Sequence, residues 1–312
     1  MTEARIRLGT RGSALALWQT AHVGALLRAA DPALRIETVV IKTAGDKILD
    51  VPLARIGDRG LFVKEIEEAL LDGRIDAAVH SLKDLPTSQP VGLLVGAVLA
   101  RADARDCLVS TAHASLAALP AGAVVGTSSL RRRAQLQAHH PRLRFEDVRG
   151  NLQTRLAKLD AGQYDALVLA VAGLERLGLH ERIRERLAPE VSLPAVGQGA
   201  LAVECRADDR ATLARLLPLT DGPTLAAVTA ERALLAAMEG GCQVPIGAHA
   251  TLAGERLTLT AMVGSLDGST LLQVRVEGAT SEAASLGLEA ARALHDQGAA
   301  AVLDEVRRAE GA

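Results

Sequence analysis

Aromatic side chains are nearly missing from this 312-residue chain: Trp18, Phe62, Phe145 and Tyr164 are all there are. Sites that stack bases or sugar rings need several flat side chains, so a nucleic-acid partner is not expected. Cysteine is scarce too, with only Cys107, Cys205 and Cys242. An odd count at wide spacing makes no disulfide framework, and no CxxC or histidine-rich cluster has metal-ligand spacing, so no metal is expected. No apolar run approaches the ~18 residues of a membrane span. The start, MTEARIRLGT, has no signal-peptide core, and a soluble cytoplasmic chain is expected. Lysine is the last shortage: 5 lysines accompany 30 arginines. Arginine is the better fork for carboxylates and phosphates, although a codon bias would give the same ratio.

What is there is a foldable globular composition. Hydrophobic residues make up 49% and charged residues 23%, with a net charge of -2. That is enough apolar surface for a core and too little net charge for disorder. At ~150 residues per domain, two or three domains are expected. Charge is uneven along the chain. Residues 101–193 are net +4 and residues 220–312 net -6. Residues 126–155 hold seven Arg against Glu146 and Asp147. A positive island in a slightly acidic protein points to a local anionic ligand rather than a general polyanion.

Short apolar runs alternate with helical patterns over the first two thirds. Strands are expected at Arg5–Gly9, Arg35–Ile41, Asp76–Val79, Gly92–Val98, Cys107–Ser110, Val124–Gly126, Leu143–Val148 and Asp165–Leu169. Helices are expected at Ser13–Ala29, Leu61–Leu71, Leu130–Ala138, Leu152–Ala161 and Val171–Leu177. This alternation predicts two parallel α/β units meeting near residue 100, with Leu201–Glu204 returning to the first sheet. The last ninety residues read as antiparallel strands with helices, a small α+β unit. The domains expected are therefore 1–98 with 200–217, then 99–199, then 218–312.

Five segments carry chemistry. Gly9-Thr-Arg-Gly-Ser13 joins a strand to a helix, where free N–H groups favour an anion; it is not a P-loop, and reads equally as a structural turn. Gly126-Thr-Ser-Ser-Leu-Arg-Arg-Arg133 repeats the logic, with three cations in a first helical turn. They oppose the helix dipole, which a sequence shaped only for folding avoids. Arg149-Gly-Asn-Leu-Gln-Thr-Arg155 is a third such junction. In open α/β sheets ligands sit at the carboxyl ends of strands, so these junctions are expected to face one cleft between two domains and a ligand rich in carboxylates. His80-Ser-Leu-Lys-Asp-Leu-Pro86 displays Ser81, Lys83 and Asp84 at a strand end; alone, it reads as readily as a surface turn. Glu239-Gly-Gly-Cys-Gln-Val-Pro245 holds a thiol on a tight turn, able to act as a nucleophile if its thiolate is favoured.

GTRGSALALWQ, HSLKDLP, GTSSLRRRAQL, RGNLQTRLAKL, LAVAGLERLGL, LPAVGQGAL and GGCQVPIGA, in that order, closely resemble porphobilinogen deaminases (hydroxymethylbilane synthases) over residues 5–250. The resemblance implies two doubly wound domains like those of type II periplasmic binding proteins, flanking a cleft, and a small α+β C-terminal domain. It implies a dipyrromethane cofactor joined by a thioether to Cys242. Four porphobilinogen molecules are then added head to tail, each losing ammonia, and hydrolysis releases hydroxymethylbilane. By the same resemblance Asp84 is the catalytic carboxylate. Ser81, Lys83, Asp84, Thr127, Ser129, Arg131 and Arg132 hold the cofactor. Arg11, Ser13, Gln19, Phe62, Arg149, Arg155 and Arg176 are the substrate-side positions. Gly45–Gly60 reads as a mobile lid before Phe62, with Arg59 where the family usually has Lys. Cys107 and Cys205 match no functional position. A monomer is expected, handing its product to the next pathway enzyme. The resemblance also explains the cations physically. Each pyrrole carries two carboxylates, ionised at neutral pH, and adding a dianion to a polyanion is repulsive unless cations meet it.

Two other readings remain at this point. A non-catalytic solute-binding protein on the same fold would carry no adduct on Cys242. A nucleic-acid binder would use the 126–155 island and show salt-sensitive retention.

Overall fold

Each of the two five-stranded sheets is built around a strand-turn-helix unit whose helix is capped by the side chain that ends the turn. The computed structural model describes residues 5–43, 45, 63–238 and 244–311. Cys242, Phe62, Arg59 and the expected lid, apart from Gly45, lie outside the described residues. The chain divides into two compact units, the first drawn from Met1–Leu49, Arg59–Ala102 and Ala200–Leu225, the second mainly from Asp103–Gly199 and Ala226–Ala312.

In the first unit β1 (Arg5–Thr10) runs into α1 (Ala14–Ala30), then β2 (Arg35–Val40), α2 (Lys64–Leu71), β3 (Ala77–Ser81) and β4 (Leu93–Val98). The chain returns much later as β10 (Leu201–Arg206) and α6 (Arg210–Leu216). The sheet order is β2-β1-β3-β10-β4. Both faces are covered, which is why β3 and β4 read as largely apolar runs. Val23 and Leu27 of α1 pack on Ile6, Leu8, Val79 and Val203. On the other face Ile66, Ala69 and Leu70 of α2 pack on Ile75, Ala78 and Leu93.

The second unit holds β5 (Asp106–Val109), β6 (Val124–Gly126), α3 (Leu130–His139), β7 (Arg144–Glu146), α4 (Leu152–Asp160), β8 (Ala166–Ala170), α5 (Val171–Arg176) and β9 (Glu185–Arg186). Its order, β7-β6-β8-β5-β9, has the form of the first sheet. Leu136 of α3 is buried on one face, and Leu156, Leu159 and Leu174 on the other. The rest of the chain forms α7 (Gly222–Ala237), the antiparallel strands β11 (Ile246–Ala253), β12 (Arg256–Gly264) and β13 (Leu271–Ala279), then α8 (Ala283–Asp296) and α9 (Ala299–Gly311). Ala230, Leu234, Leu286, Ala290, Leu294 and Leu303 form one core against Leu257, Leu259 and Ala261. The fold class is α/β, two doubly wound sheets plus a small α+β C-terminal domain.

Two expectations are corrected. The sheets are mixed, not parallel throughout: β10 runs antiparallel to β3 and β4, and β5 antiparallel to β8 and β9. A strand arriving from another part of the chain needs no right-handed helical crossover, so its direction is not bound by the βαβ rule. The run Leu143–Val148 pairs only over Arg144–Glu146. The backbone of Val148 bonds instead to the Ser128 hydroxyl, its N–H donating at 3.0 Å and its carbonyl accepting at 2.8 Å.

Candidate active site

Ser13, the last residue of the first junction, caps α1 by accepting from the Ala16 N–H at 3.3 Å. The cap satisfies one of the orphan donors of the helix and fixes where Arg11 stands. At the neighbouring strand end β3 leads into the short turn Leu82–Asp84. Gln19, buried on α1, donates to the Ser81 hydroxyl at 2.8 Å. Arg11, Ser13, Gln19, His80, Ser81 and Asp84 line one cavity of about 80 Å³ that opens to solvent. Lys83 is half-buried and Asp84 exposed on that turn. The first unit therefore brings together five of the expected site residues, Arg11, Ser13, Gln19, Ser81 and Asp84, with Lys83 beside Asp84.

The second unit repeats the arrangement at the carboxyl ends of β6, β7 and β8. Ser129 caps α3, accepting from the Arg132 N–H at 3.4 Å, and Thr127 accepts from the Ser129 N–H at 3.3 Å. Asn151 caps α4 by accepting from the Thr154 N–H at 2.9 Å. Arg149 and Arg155 flank that junction, and the Arg155 Nε donates to the Gly150 carbonyl at 2.8 Å. Arg176 closes α5 and donates to the Gly199 carbonyl at 2.7 Å. Burial pushes the Arg149 and Arg176 guanidinium pKa values down, because a charged group loses hydration there.

Arg131 and Arg132 are not a solvated run. Both are buried, and both turn toward Asp106, which is fully buried at the start of β5. Its carboxylate accepts from Arg131 Nη1 at 2.7 Å, Arg132 Nη2 at 2.7 Å, Arg132 Nε at 3.0 Å, Ser192 Oγ at 2.8 Å and Gln198 Nε2 at 2.9 Å. Burial alone would raise this carboxyl, but the two guanidiniums hold it well below the ordinary carboxylate range. Arg131 also reaches the Leu193 carbonyl at 2.6 Å, and Gln198 the Ala104 carbonyl at 2.7 Å. The cations that oppose the helix dipole are thus held by one anion from outside the helix. One carboxylate serves two guanidiniums, so the cluster keeps a positive charge. The Arg131 Nε is buried and has no hydrogen-bond partner among the described residues.

The sequence reading missed Asp106, Ser192 and Gln198. One signal for Asp106 was present: between Asp106 and Glu146 the chain has no acidic residue, so the arginines of 131–133 had to find their counter-charge elsewhere. Of the cysteines, the structure describes Cys107 and Cys205, both buried. Burial pushes the Cys107 thiol up to about 12 and Cys205 up to about 11, leaving both unreactive near neutrality.

Comparison with known proteins decides the family. A family model described as porphobilinogen deaminase, dipyromethane cofactor binding domain, matches residues 6–214. A second, porphobilinogen deaminase, C-terminal domain, matches residues 225–296. The chain belongs to the porphobilinogen deaminase family. It is a transferase of tetrapyrrole biosynthesis that joins porphobilinogen units on a dipyrromethane cofactor. Among solved structures it is distantly similar to an ABC transporter periplasmic substrate-binding protein of Coxiella burnetii, at 14% identity and TM-score 0.45, covering 73% of this chain and 96% of that one. A lipoprotein of Treponema pallidum matches at 13% identity and TM-score 0.45, covering 70% and 91%. The periplasmic VFT2 domain of Bordetella pertussis BvgS matches at 15% identity and TM-score 0.42, covering 69% and 86%.

The donors fit the deaminase cofactor. A dipyrromethane presents four carboxylates and two pyrrole N–H groups. The second unit offers an excess cation and an orphaned buried donor at Arg131, the first a cavity with a carboxylate, a guanidinium and hydroxyls. No described helix is long and apolar enough to cross a membrane.

Proposed function

We propose that Asp84 is the catalytic carboxylate and Cys242 the cofactor-attachment residue of this deaminase. The observation carrying the reading is the cavity in which Asp84 stands with Arg11, Ser13, Gln19 and Ser81. A carboxylate beside cations and hydroxyls can accept from a pyrrole N–H, face the cation left when ammonia departs, and receive the proton shed afterwards. Arg11 meets a ring carboxylate, and Gln19 orients the Ser81 hydroxyl. When bound, the cofactor supplies the free pyrrole α-carbon at which the first condensation occurs. We assign its carboxylates to Ser81, Lys83, Thr127, Ser129, Arg131 and Arg132, and those of the substrate to Arg11, Ser13, Gln19, Arg149, Arg155 and Arg176, with Phe62. The unmet Arg131 Nε and the partial burial of Arg149 and Arg176 support this, since a guanidinium that loses hydration favours an anionic partner.

Residues 218–312 are read as a separate module carrying Cys242, supported by their own three-stranded sheet and core. We read the enzyme as a monomer that passes its product to the next enzyme of the pathway. Buried free thiols at Cys107 and Cys205 fit a reducing compartment, which supports a cytoplasmic enzyme.

Intact mass of the denatured protein tests the assignment. The wild type is expected to exceed its sequence mass by two pyrrole units, and Cys242→Ser to lose that excess. Asp84→Ala is expected to keep cofactor wholly or in part while forming almost no bilane. Near-normal turnover by that variant would refute the role of Asp84.

A further inference from the structure

Behind the Asp84 cavity lies a group of ionisable side chains that the mechanism above does not use. His80 on β3 and Glu204 on β10 share one face of the first sheet, the face covered by α2. Their registers place them two residues apart, His80 opposite Ala202 and Glu204 opposite Ala78. His80 Nε2 lies 3.2 Å from Glu204 Oε2, and the two side chains are 4% and 0% exposed. The second carboxylate oxygen, Oε1, is buried with no hydrogen-bond partner among the described residues. Burying a carboxylate with one oxygen unmet is costly, and a core built only for packing would place an apolar side chain there. Glu67 approaches from α2, and burial with the neighbouring Glu204 charge pushes it up to about 7. Arg11 and Asp84 face the same space from the cavity side. His80 itself lines that cavity, and its Nδ1 makes no hydrogen bond among the described residues.

We propose that His80, held by Glu204, is a second proton acceptor of the Asp84 cavity. The proposal rests on the reading of Asp84 given above. Asp84 must be anionic to face a new cation in each cycle, and a proton left on it removes that charge. An imidazole takes and releases protons near neutrality. When the pyrrole that attacked the new unit rearomatises, the C–H bond at its attacking α-carbon breaks and the electron pair returns to that ring. Taken up first by Asp84, the proton then passes to His80 Nδ1, and the imidazolium charge is met by the Glu204 carboxylate. The ammonia released in the same cycle, or water, then carries the proton away, which leaves His80 neutral for the next addition.

The test uses the loaded enzyme, with cofactor content of every variant read by intact mass. His80→Ala is expected to keep its cofactor while bilane formation falls ~10²–10⁴-fold, the usual contribution of a positioned acid or base. Glu204→Gln should lose less. The double variant should be no slower than His80→Ala, because the two residues act as a unit. A series of substituted imidazoles should restore turnover to His80→Ala, with rates that rise with base strength. Histidine ¹⁵N NMR gives a readout apart from turnover: the His80 ring signals should move in Glu204→Gln, with the other histidines unchanged. Should His80→Ala fold poorly, His80→Gln replaces it. Near-normal turnover of a loaded His80 variant, rescue indifferent to base strength, or ring signals untouched by Glu204→Gln would overturn the proposal. Failure of the Asp84 reading shows separately, as near-normal turnover of Asp84→Ala.

Discussion

Asp106 shows how one side chain decides the meaning of two others. Without it, Arg131 and Arg132 would be a pair of cations at the wrong end of a helix; with it, they are buried partners of one carboxylate, with the Arg131 Nε left unmet among the described residues. Removing one partner of a buried ion group leaves uncompensated charge, at a cost of about 3–5 kcal/mol. Asp106→Asn is therefore expected to lose stability of that order in urea unfolding and to load cofactor poorly by intact mass. Glu67 is the opposite case. Its folded pKa, about 7, lies above the unfolded value because burial and Glu204 disfavour its charge. The stability this contributes is fully present below the unfolded value and is lost as pH rises through about 7. Thermal melts of Glu67→Gln between pH 5 and 8 should accordingly be flatter than those of the wild type.

At the scale of elements, the junctions matter more than the strands and helices they join. Ser13, Ser129 and Asn151 end their turns as caps, so two residues read as ligand donors, Ser13 and Ser129, also start helices. A hydroxyl accepting from a backbone N–H still has its own hydrogen to give, and the two roles coexist. Gly150 has a backbone that suits glycine, φ +112°, and a Cβ there would stand 2.6 Å from Thr154 Cγ2. Gly150→Ala is expected to cost about 1–3 kcal/mol and to raise the KM for porphobilinogen while cofactor content by intact mass stays unchanged, since Arg149 and Arg155 flank the turn. In the C-terminal domain, Gly287 lets α8 lie against α7: a Cβ would fall 2.3 Å from the Ala230 carbonyl. Gly287→Leu should lower the melting temperature, because overpacking costs about 1–3 kcal/mol.

For the whole molecule, net charge says little and its distribution says much. The chain is -2 overall, yet residues 101–193 are +4. A dianionic substrate drawn by exposed and half-buried arginines is screened by salt. KM is expected to rise several-fold between 0.05 and 0.5 M salt, with kcat changing less; steady-state kinetics at fixed pH would measure it. The matching strand orders of the two doubly wound sheets are also a property of the whole. The strand next to the central one runs antiparallel in both, but arrives from residues 201–206 in the first and 106–109 in the second.

Local chemistry made much of this legible before any coordinates. Apolar runs of strand length, the hydroxyl residues that cap helices, and arginines placed against a helix dipole are properties of a few neighbouring residues, and the α/β class and the three basic junctions follow from them. Strand direction was not legible for β5 and β10, because hydrophobic periodicity is the same whichever way a strand runs. Nor was the partnership of Asp106 with Arg131 and Arg132, or of Glu204 with His80, which lies 124 residues away in the chain. Such pairs exist only once folding has removed water from between them, and burial then decides which charges must find each other.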